Sequence, residues 1–364
     1  MQGHNFKRLV AFAVTEDGLR LALRLKKGFK SLKIIGPKGL GNHGFLRKAG
    51  RAFSQCDGLI FICAVGIAIR AIAPHLRGKH LDPAVVALDE KGRYCVSLLS
   101  GHLGGANSLA VEAASVLGAK PVITTATDIR GLKCIEDVAA RFGLEIDDIG
   151  KIKLINSALL SGGPVAIVDT DRKRLKKIRV FLSGSGIFRF AAGIPGRPST
   201  TFRGIRGKWC WAKAYAVISA REHVKLPVRV SARAMLLRPK ELVVGIGCCK
   251  GAAEKEVFAA IGRVLKEAGL SLKAIRNLAT IDMKRREKGL LRFASKAGIE
   301  IDFFSAKELN RAVRHRGSSF VLERTGAFAV AAPAAILSSG AKRLCIGKRR
   351  IGRVTVAIAK APCS

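Results

Sequence analysis

One glycine-rich turn holds the residues with the clearest capacity for chemistry. It has the sequence SGHLGGAN, runs from Ser100 to Asn107, and lies between the apolar run 96–99 and a helical pattern over 108–117. Glycines at the N-terminus of a helix expose backbone amides that can hold an anionic group. A histidine beside them can transfer protons near neutral pH. The turn therefore predicts a site that holds an anion and acts on it.

Within this turn, His102 is the first candidate for proton transfer. The alternative is a histidine that braces the turn without taking part in chemistry. The predicted substrate-binding residues of the turn are Gly101, Gly104, Gly105 and Asn107. Backbone amides here could hold an oxyanion or a carboxylate, or the glycines could serve only a tight crossing from strand to helix.

A second polar cluster precedes the strand pattern at 84–89. It contains Lys79, His80 and Asp82. A spacing of two residues places His80 and Asp82 on one side of an extended segment. We expect these two to be catalytic by positioning a water, and Lys79 to bind a substrate carboxylate. Asp82 could instead make a local turn before Pro83.

Two further turns are expected to meet the first one in a single crevice. Gly66 and Arg70 follow one buried strand pattern, and Thr124, Thr125 and Asp128 follow another. Ligands of open α/β sheets sit outside the carboxyl ends of the strands, so all five residues are predicted to bind substrate. Arg70 could pair with a carboxylate in bidentate fashion or lie on the surface. Asp128 could instead cap a helix.

The C-terminal part contributes a glycine turn at Gly247 and a basic residue at Lys284. The glycines at Gly245, Gly247 and Gly251 depart from a dinucleotide fingerprint, because the third one comes one position late. We predict an anion-holding turn that binds substrate, with Lys284 as a further binding residue. Lys284 could instead pair with Glu287, one helical turn away.

The sequence predicts no metal ion bound by the protein. His80 and His102 could share an ion, but no third ligand stands out. Nine cysteines without C-x-x-C spacing are typical of a protein of the reducing cytoplasm.

The charge balance favours anionic partners in general. The chain carries 65 Lys+Arg against 26 Asp+Glu, a formal net charge of +39. The basic residues are spread along the chain, no nucleic-acid reading motif is evident, and aromatic residues are only 6%. We therefore expect no specific nucleic-acid partner. The uncharged apolar stretches are too short to span a bilayer, so no membrane partner is expected either.

Alternating strand and helix patterns predict a multi-domain α/β protein with mostly parallel sheets sandwiched by helices. The apolar runs 84–89 and 94–99 flank Glu90-Lys91-Gly92, which predicts a β-hairpin. Weaker patterning after residue 150 predicts an N-terminal domain over 1–150, a middle insert or linker domain over 151–235 and a C-terminal domain over 236–364.

Several of these segments together resemble one family. The motifs AVGIAIRAIAP at 64–74, KHLDPAV at 79–85, LLSGHLGGAN at 98–107 and ITTATD at 123–128 occur in order. In order and spacing they resemble the N-terminal domain of the CbiG family, the cobalt-precorrin-5A hydrolases of anaerobic cobalamin biosynthesis. The motifs LRPK at 237–240, VVGIGC at 243–248 and IDMK at 281–284 resemble that family's C-terminal domain, which also occurs alone as the CobE type.

The resemblance implies a hydrolase that opens the δ-lactone of cobalt-precorrin-5A and releases acetaldehyde to give cobalt-precorrin-5B. Its expected partners are the anionic cobalt-tetrapyrrole and neighbouring enzymes of the corrin pathway. Cobalt is carried within the substrate, so the protein itself is expected to bind no cofactor. Cys249 replaces a usual arginine and Ala332 an expected glutamate. These departures keep open the alternative of a non-catalytic protein that binds and hands over corrinoids.

Overall fold

A computed structural model describes residues 6–78, 81–184, 186–193, 212–312 and 319–362, with the backbone alone at 41–43 and 319–320. The chain forms two compact units, Met1–Asp137 and Val138–Ser364. One sheet lies in the first unit, and two lie in the second.

The first unit is a six-stranded sheet with the strand order β2-β1-β3-β4-β5-β6. Its strands are β1 (Leu9–Ala13), β2 (Leu32–Ile35), β3 (Gly58–Ile62), β4 (Ala84–Leu88), β5 (Tyr94–Leu99) and β6 (Lys120–Val122). Its helices are α1 (Glu16–Gly28), α2 (Pro37–Gln55), α3 (Val65–Ile72), α4 (Ala106–Leu117) and α5 (Ala126–Ile129), and α6 (Ile135–Arg141) begins within it.

Strand direction changes once in this sheet. The strands β1 to β4 are parallel, β5 pairs with β4 in an antiparallel hairpin, and β6 is parallel to β5. The carboxyl ends of β5 and β6 therefore lie at the end of the sheet where β1 to β4 begin.

Helices cover both faces of the first sheet. Along β1, Leu9, Ala11 and Ala13 pack into the core beneath α1 and α4, while Val10 and Phe12 pack into the core beneath α2 and α3. Alternate strand residues point to opposite faces. A strand covered on both faces must be apolar throughout, which explains its uninterrupted hydrophobic run.

The second unit begins with a five-stranded sheet of order β7-β11-β10-β8-β9. Its strands are β7 (Leu144–Ile146), β8 (Val165–Asp169), β9 (Phe188–Ala192), β10 (Ala214–Ile218) and β11 (Ala234–Pro239). The helices of this region are α7 (Ile152–Leu160), α8 (Arg172–Phe181) and α9 (Val228–Ser231). This sheet is larger than the predicted segment 151–235, because β7 comes before that segment in the sequence and β11 continues past its end.

The third sheet has the order β14-β13-β12-β16-β15. Its strands are β12 (Leu242–Cys248), β13 (Ile275–Ile281), β14 (Glu300–Phe304), β15 (Leu344–Ile351) and β16 (Val354–Lys360). The helices are α10 (Glu254–Glu267), α11 (Lys288–Ala297), α12 (Ala306–Arg311), α13 (Ser319–Thr325) and α14 (Ala331–Ser339). Helix α14 packs so closely on β12 that a Cβ at Gly245 would lie 1.8 Å from the carbonyl oxygen of Ala331.

A buried ion network connects elements within the second unit. Arg174 is 4% exposed and donates to Asp169 at 2.6 Å and to Glu241 at 2.7 Å. Glu241 also pairs with Lys360 at 2.9 Å. Buried charges are tolerated when they are paired and hydrogen-bonded, as they are here.

The predicted fold class is confirmed: the chain is an α/β protein with three mostly parallel sheets flanked by helices. Elements that were not predicted from the sequence include the long helix α2, the basic helix α8 and the internal strand β13. In the described part of the chain, no helix has both the length and the apolar character required to cross a membrane.

Candidate functional site

A hydrogen-bonded cluster connects the segments that follow β5 and β6. At its centre, the side-chain amide of Asn107 donates to Thr125 Oγ1 and to Asp128 Oδ2, each at 3.1 Å. Ser97 Oγ donates to Asn107 Oδ1 at 2.7 Å, and Thr125 Oγ1 donates to Asp128 Oδ2. Asn107 is only 7% exposed, so it fixes the turn against α5 from inside the fold.

His102 lies between two carboxylates in this cluster. Its Nε2 is 2.9 Å from Thr127 Oγ1 and 3.2 Å from Asp128 Oδ2. Its Nδ1 is 3.7 Å from Asp137 Oδ1, at the start of α6. The imidazole is 14% exposed. Both ring nitrogens therefore face acidic or hydroxyl groups of the protein.

These surroundings raise the pKa of the His102 imidazole above its ordinary value of 6.5. Burial alone would lower this pKa, but the carboxylates of Asp137, Asp128 and Glu136 outweigh burial. Conversely, burial would raise the pKa of Asp137, and hydrogen bonds from His102 and Cys134 lower it overall. The cluster thus favours a protonated His102 beside an ionised Asp137.

The glycines of the turn allow its close packing. A Cβ at Gly104 would lie 2.5 Å from Ser100 Cβ, and a Cβ at Gly101 would lie 2.8 Å from Asn107 Oδ1. Gly105 has a φ of 84°, a conformation that glycine adopts without strain. Ser100 also has a positive φ, of 59°, which is uncommon for a residue with a side chain.

The amides predicted to hold an anion are used inside the turn. The N–H groups of Gly105, Ala106 and Asn107 donate to the carbonyls of His102, Ser100 and Gly101. An anion would have to displace these bonds to reach those three amides. The Asn107 side chain, rather than its backbone, is the contribution of this residue to the cluster.

Asp82, the acidic residue of the second predicted cluster, is held by two backbone hydrogen bonds. Both oxygens of Asp82 accept backbone N–H groups, from Arg77 at 3.0 Å and from Gly78 at 3.1 Å, and the residue is 7% exposed. These bonds support the local-turn interpretation of Asp82. Lys79 and His80 lie outside the described residues, so their predicted roles stay predictions.

The turn at Gly66 does not join the cluster. Leu88 pairs with Ile62 on β3, just before this turn, whereas Val85 pairs with Leu99, just before the His102 turn. The two turns thus lie at opposite ends of the sheet, because β5 runs antiparallel to β4. The expectation that Gly66 converges with His102 and Thr125 is wrong. The Arg70 guanidinium is exposed and reaches back to Gly66 O at 3.4 Å.

The remaining predicted residues are distributed as follows. Thr125 and Asp128 belong to the cluster, whereas the Thr124 side chain is exposed and makes no hydrogen bond with any described residue. In the third sheet, Lys284 pairs with Glu287 at 3.2 Å, and Glu287 accepts the N–H of Gly251 at 2.9 Å. This supports the predicted alternative of an ion pair.

Gly247 lies near the carboxyl end of β12, where Cys248 and Cys249 follow it. Cys249 is exposed, and its N–H donates to Arg353 O at 3.0 Å. Ala332, the second departure, lies in the first turn of α14. Neither departure falls in the first sheet.

Asp137 and Ser97 are members of the cluster that had no role predicted from the sequence. Asp137 is the third residue of α6, and its Oδ2 accepts the N–H of Cys134 at 2.8 Å, as in a helix cap. The helical pattern after residue 134 was visible in the sequence. Its packing beside His102 depends on folding and has no local signal.

His102, Cys134 and Asp137 also offer three donor atoms that all lie within 4.8 Å of one another. This set differs from the pair His80 and His102 that the sequence suggested, because Cys134 and Asp137 accompany His102. However, the Cys134 thiol is buried and donates to Asp137 Oδ2 at 3.1 Å, and burial strongly raises its pKa. The helix cap therefore accounts for these contacts without an ion, since a metal requires the thiolate.

Three family models match consecutive parts of the chain. Cobalamin synthesis G N-terminal matches residues 48–128, cobalamin biosynthesis central region matches 135–239, and cobalamin synthesis G C-terminus matches 242–359. The cluster around His102 falls at the end of the first match and the start of the second.

Curated relatives are similar over most of the chain. A cobalt-precorrin-5A hydrolase of Priestia megaterium is 34% identical over 85% of this chain and 80% of that protein. A cobalt-precorrin-5A hydrolase of Salmonella typhimurium is 31% identical over 91% of this chain and 92% of that protein. The crystal structure of CobE, a protein from the cobalamin biosynthetic pathway, is 32% identical over 35% of this chain and 94% of that chain, with a TM-score of 0.32.

Proposed function

Because the chain belongs to the CbiG family of cobalt-precorrin-5A hydrolases, we propose that it opens the δ-lactone of cobalt-precorrin-5A. The reaction releases acetaldehyde and gives cobalt-precorrin-5B. The observation that carries this proposal is the near full-length similarity to curated hydrolases, 31% identity over 91% of this chain and 92% of the relative. The three family models match consecutive regions of the chain, which supports the same proposal.

The cluster at the carboxyl ends of β5 and β6 is the proposed site of the chemistry. Opening a lactone requires a base for the attacking water and a proton for the oxygen that leaves. Asp128, His102 and Asp137 provide titratable groups, and Asn107 and Thr125 hold Asp128 in place. The raised pKa of His102 and the lowered pKa of Asp137 are typical of catalytic sites.

The proposed substrate is a polycarboxylate macrocycle that brings its own cobalt. The formal net charge of +39 attracts such an anion from a distance. We propose that Gly101, Gly104 and Lys79 of the first unit bind the substrate, with His80 near the reaction. We also propose that the protein needs no bound cofactor.

Binding contributions from the second unit are proposed at Gly247 and Lys284. Neighbouring enzymes of the corrin pathway are the proposed protein partners, because the product must pass to a further corrin-modifying enzyme. We place the reaction in the cytoplasm, and the seven free cysteines of the described chain support a reducing compartment.

The alternative of a non-catalytic hand-over protein is not favoured by the curated relatives, which are named as hydrolases. Its two sequence arguments, Cys249 and Ala332, both lie in the region of the third sheet. The proposed reaction cluster lies in the first unit and contains the titratable groups His102, Asp128 and Asp137.

Anaerobic incubation of the purified protein with cobalt-precorrin-5A tests the function. We expect acetaldehyde in an amount matching the substrate consumed, and a product mass equal to that of the substrate plus water minus acetaldehyde. A folded protein that changes the substrate absorbance on binding but releases no acetaldehyde would support the hand-over alternative instead.

A further inference from the structure

The position of His102 conflicts with the role of a free general base. Its Nε2 is occupied by Thr127 and Asp128, and its Nδ1 faces Asp137. The imidazole is only 14% exposed. A base must present a free lone pair to the proton that it removes. No ring nitrogen of His102 meets that condition in this structure.

Asp128 has a carboxylate oxygen that can accept a proton, whereas neither ring nitrogen of His102 is free to do so. Its side chain is 35% exposed. Its Oδ2 accepts from Asn107 and Thr125 and lies beside His102 Nε2. Within the described residues, no hydrogen bond or ion pair uses Oδ1. One carboxylate oxygen is thus fixed by three partners, while the other is left for a ligand.

We propose that Asp128 is the general base of the lactone opening, and that His102 is a positioning residue held as an imidazolium between Asp128 and Asp137. This assignment rests on the proposed function. The sequence predicts His102 as the residue that transfers protons and Asp128 as a binding residue, so this assignment moves the base from His102 to Asp128.

The proton balance of the reaction is simple with this assignment. Water attacks the lactone carbonyl carbon while its proton passes to Asp128 Oδ1. The ring C–O bond breaks, and the released alkoxide takes the proton back from Asp128. Asp128 then removes the proton of that hydroxyl as the adjacent C–C bond breaks. Acetaldehyde leaves, and the electron pair of the broken bond stays on the macrocycle. The macrocycle then takes the proton from Asp128, which restores the carboxylate.

The charges around His102 support its retention of a proton. Asp128 faces it from α5, and Asp137 and Glu136 face it from α6. The Cys134 thiol, also at the start of α6, donates to Asp137 and is not itself charged. A cation between these carboxylates neutralises them and holds Asp128 in one orientation. Loss of the proton would leave the carboxylates without this counter-charge.

The first experiment needs no substrate. The imidazole resonances of the full-length protein are followed by NMR from pH 5 to 9, and His102 is assigned by its loss in His102→Gln. We expect the His102 midpoint above 6.5, its ordinary value, and a lower midpoint in Asp137→Asn. A midpoint at or below 6.5 would overturn the assignment of His102 as the imidazolium.

The second experiment uses acetaldehyde release at saturating cobalt-precorrin-5A. Asp128→Asn should lower kcat by roughly 10²–10⁴-fold, the usual contribution of a general base. His102→Gln should retain more activity than Asp128→Asn. Wild-type activity should persist well below pH 6.5, where an imidazole base would be protonated. Asp89→Asn is the matched control, since Asp89 is 32% exposed and lies in the hairpin at the opposite end of the sheet.

Three results would contradict the assignment. One is near-normal kcat in a folded Asp128→Asn protein. Another is wild-type activity that falls with the midpoint of His102 as the pH is lowered. The third is stoichiometric zinc that is lost in both Cys134→Ser and Asp137→Asn, which would make His102 a metal ligand. Absence of acetaldehyde with the wild-type protein would instead refute the proposed function, and the NMR titration would still decide the state of His102.

Discussion

Charged residues follow parallel strands both in the first sheet, near His102, and in the third sheet, near Gly247. The two regions differ in where the partners of these charged residues come from. At the first, His102 meets carboxylates from two other segments, α5 and α6. At the third, Lys284 pairs with Glu287, three residues away, and Glu287 accepts a nearby loop amide. A local ion pair can form between neighbouring residues of one segment, without contacts between distant parts of the chain. A cluster assembled from distant segments identifies the better candidate for chemistry.

Among the residues that hold Asp128 in place, the largest effect is expected from removing the amide at the centre of the His102 cluster. Asn107→Leu removes the bonds to Thr125 and Asp128 and leaves Ser97 without its acceptor. We expect kcat to fall by roughly 100-fold, because Asp128 loses its fixed orientation. The free energy of unfolding should fall by about 1–3 kcal/mol, since Ser97, Thr125 and Asp128 lose their bonds to a buried amide. Urea unfolding and acetaldehyde release measure the two effects, and unchanged kcat would remove Asn107 from the site.

The next effect is a pH-dependent contribution of His102 to stability. The pKa of His102 is raised by folding, so its stabilisation is present in full below 6.5 and is lost as the pH rises through the higher folded value. The lowered pKa of Asp137 keeps that carboxylate ionised across the same range. The difference in unfolding free energy between wild type and His102→Gln should therefore shrink from pH 6 to pH 9. A difference that grows with pH would contradict the charged cluster.

A smaller effect is expected in the third sheet. Lys284→Met breaks the pair with Glu287, whose side chain is 11% exposed. If Lys284 assists binding from this region, KM should rise a few-fold while kcat stays near the wild-type value. Glu287→Gln, which frees the same lysine, is the control and should not raise KM. A large loss of kcat in Lys284→Met would show that Lys284 takes part in the reaction and does not only pair with Glu287.

The smallest effect is expected at Arg70. Its turn lies at the opposite end of the first sheet from His102, and its guanidinium contacts only Gly66 O among the described residues. Arg70→Ala should change kcat and KM by less than about two-fold, as is common for exposed charged residues away from a site. Steady-state kinetics test this, and a strong rise in KM would restore Arg70 to the binding surface.

Much of the fold was accessible from sequence because apolar periodicity and turn residues report local structure. The hairpin at Glu90-Lys91-Gly92 was predicted, and it already implied that β5 ends opposite to β3. Gly66 follows β3 and His102 follows β5, so the two turns lie at opposite ends of the sheet. The antiparallel step, rather than the strands themselves, decides which turns meet.

The missed elements have polar sequences whose partners come from elsewhere. Strand β13 contains Asn277 and Thr280, which interrupt its apolar pattern. In the fold, Asn277 donates to Asp302 and Ser338, and Thr280 donates to the carbonyl of Ile246. Asp137 was missed for the same reason, since its contact with His102 spans 35 positions of the chain. Such contacts have no local signature.

One comparison tests the central claim most directly: the rate of acetaldehyde release from saturating cobalt-precorrin-5A by wild type, Asp128→Asn and Lys284→Met, with folding checked by circular dichroism. We predict that Asp128→Asn loses nearly all activity, by roughly 10²–10⁴-fold, while Lys284→Met keeps a kcat close to wild type. A nearly normal Asp128→Asn protein beside an inactive Lys284→Met protein would place the chemistry in the third sheet and contradict the account.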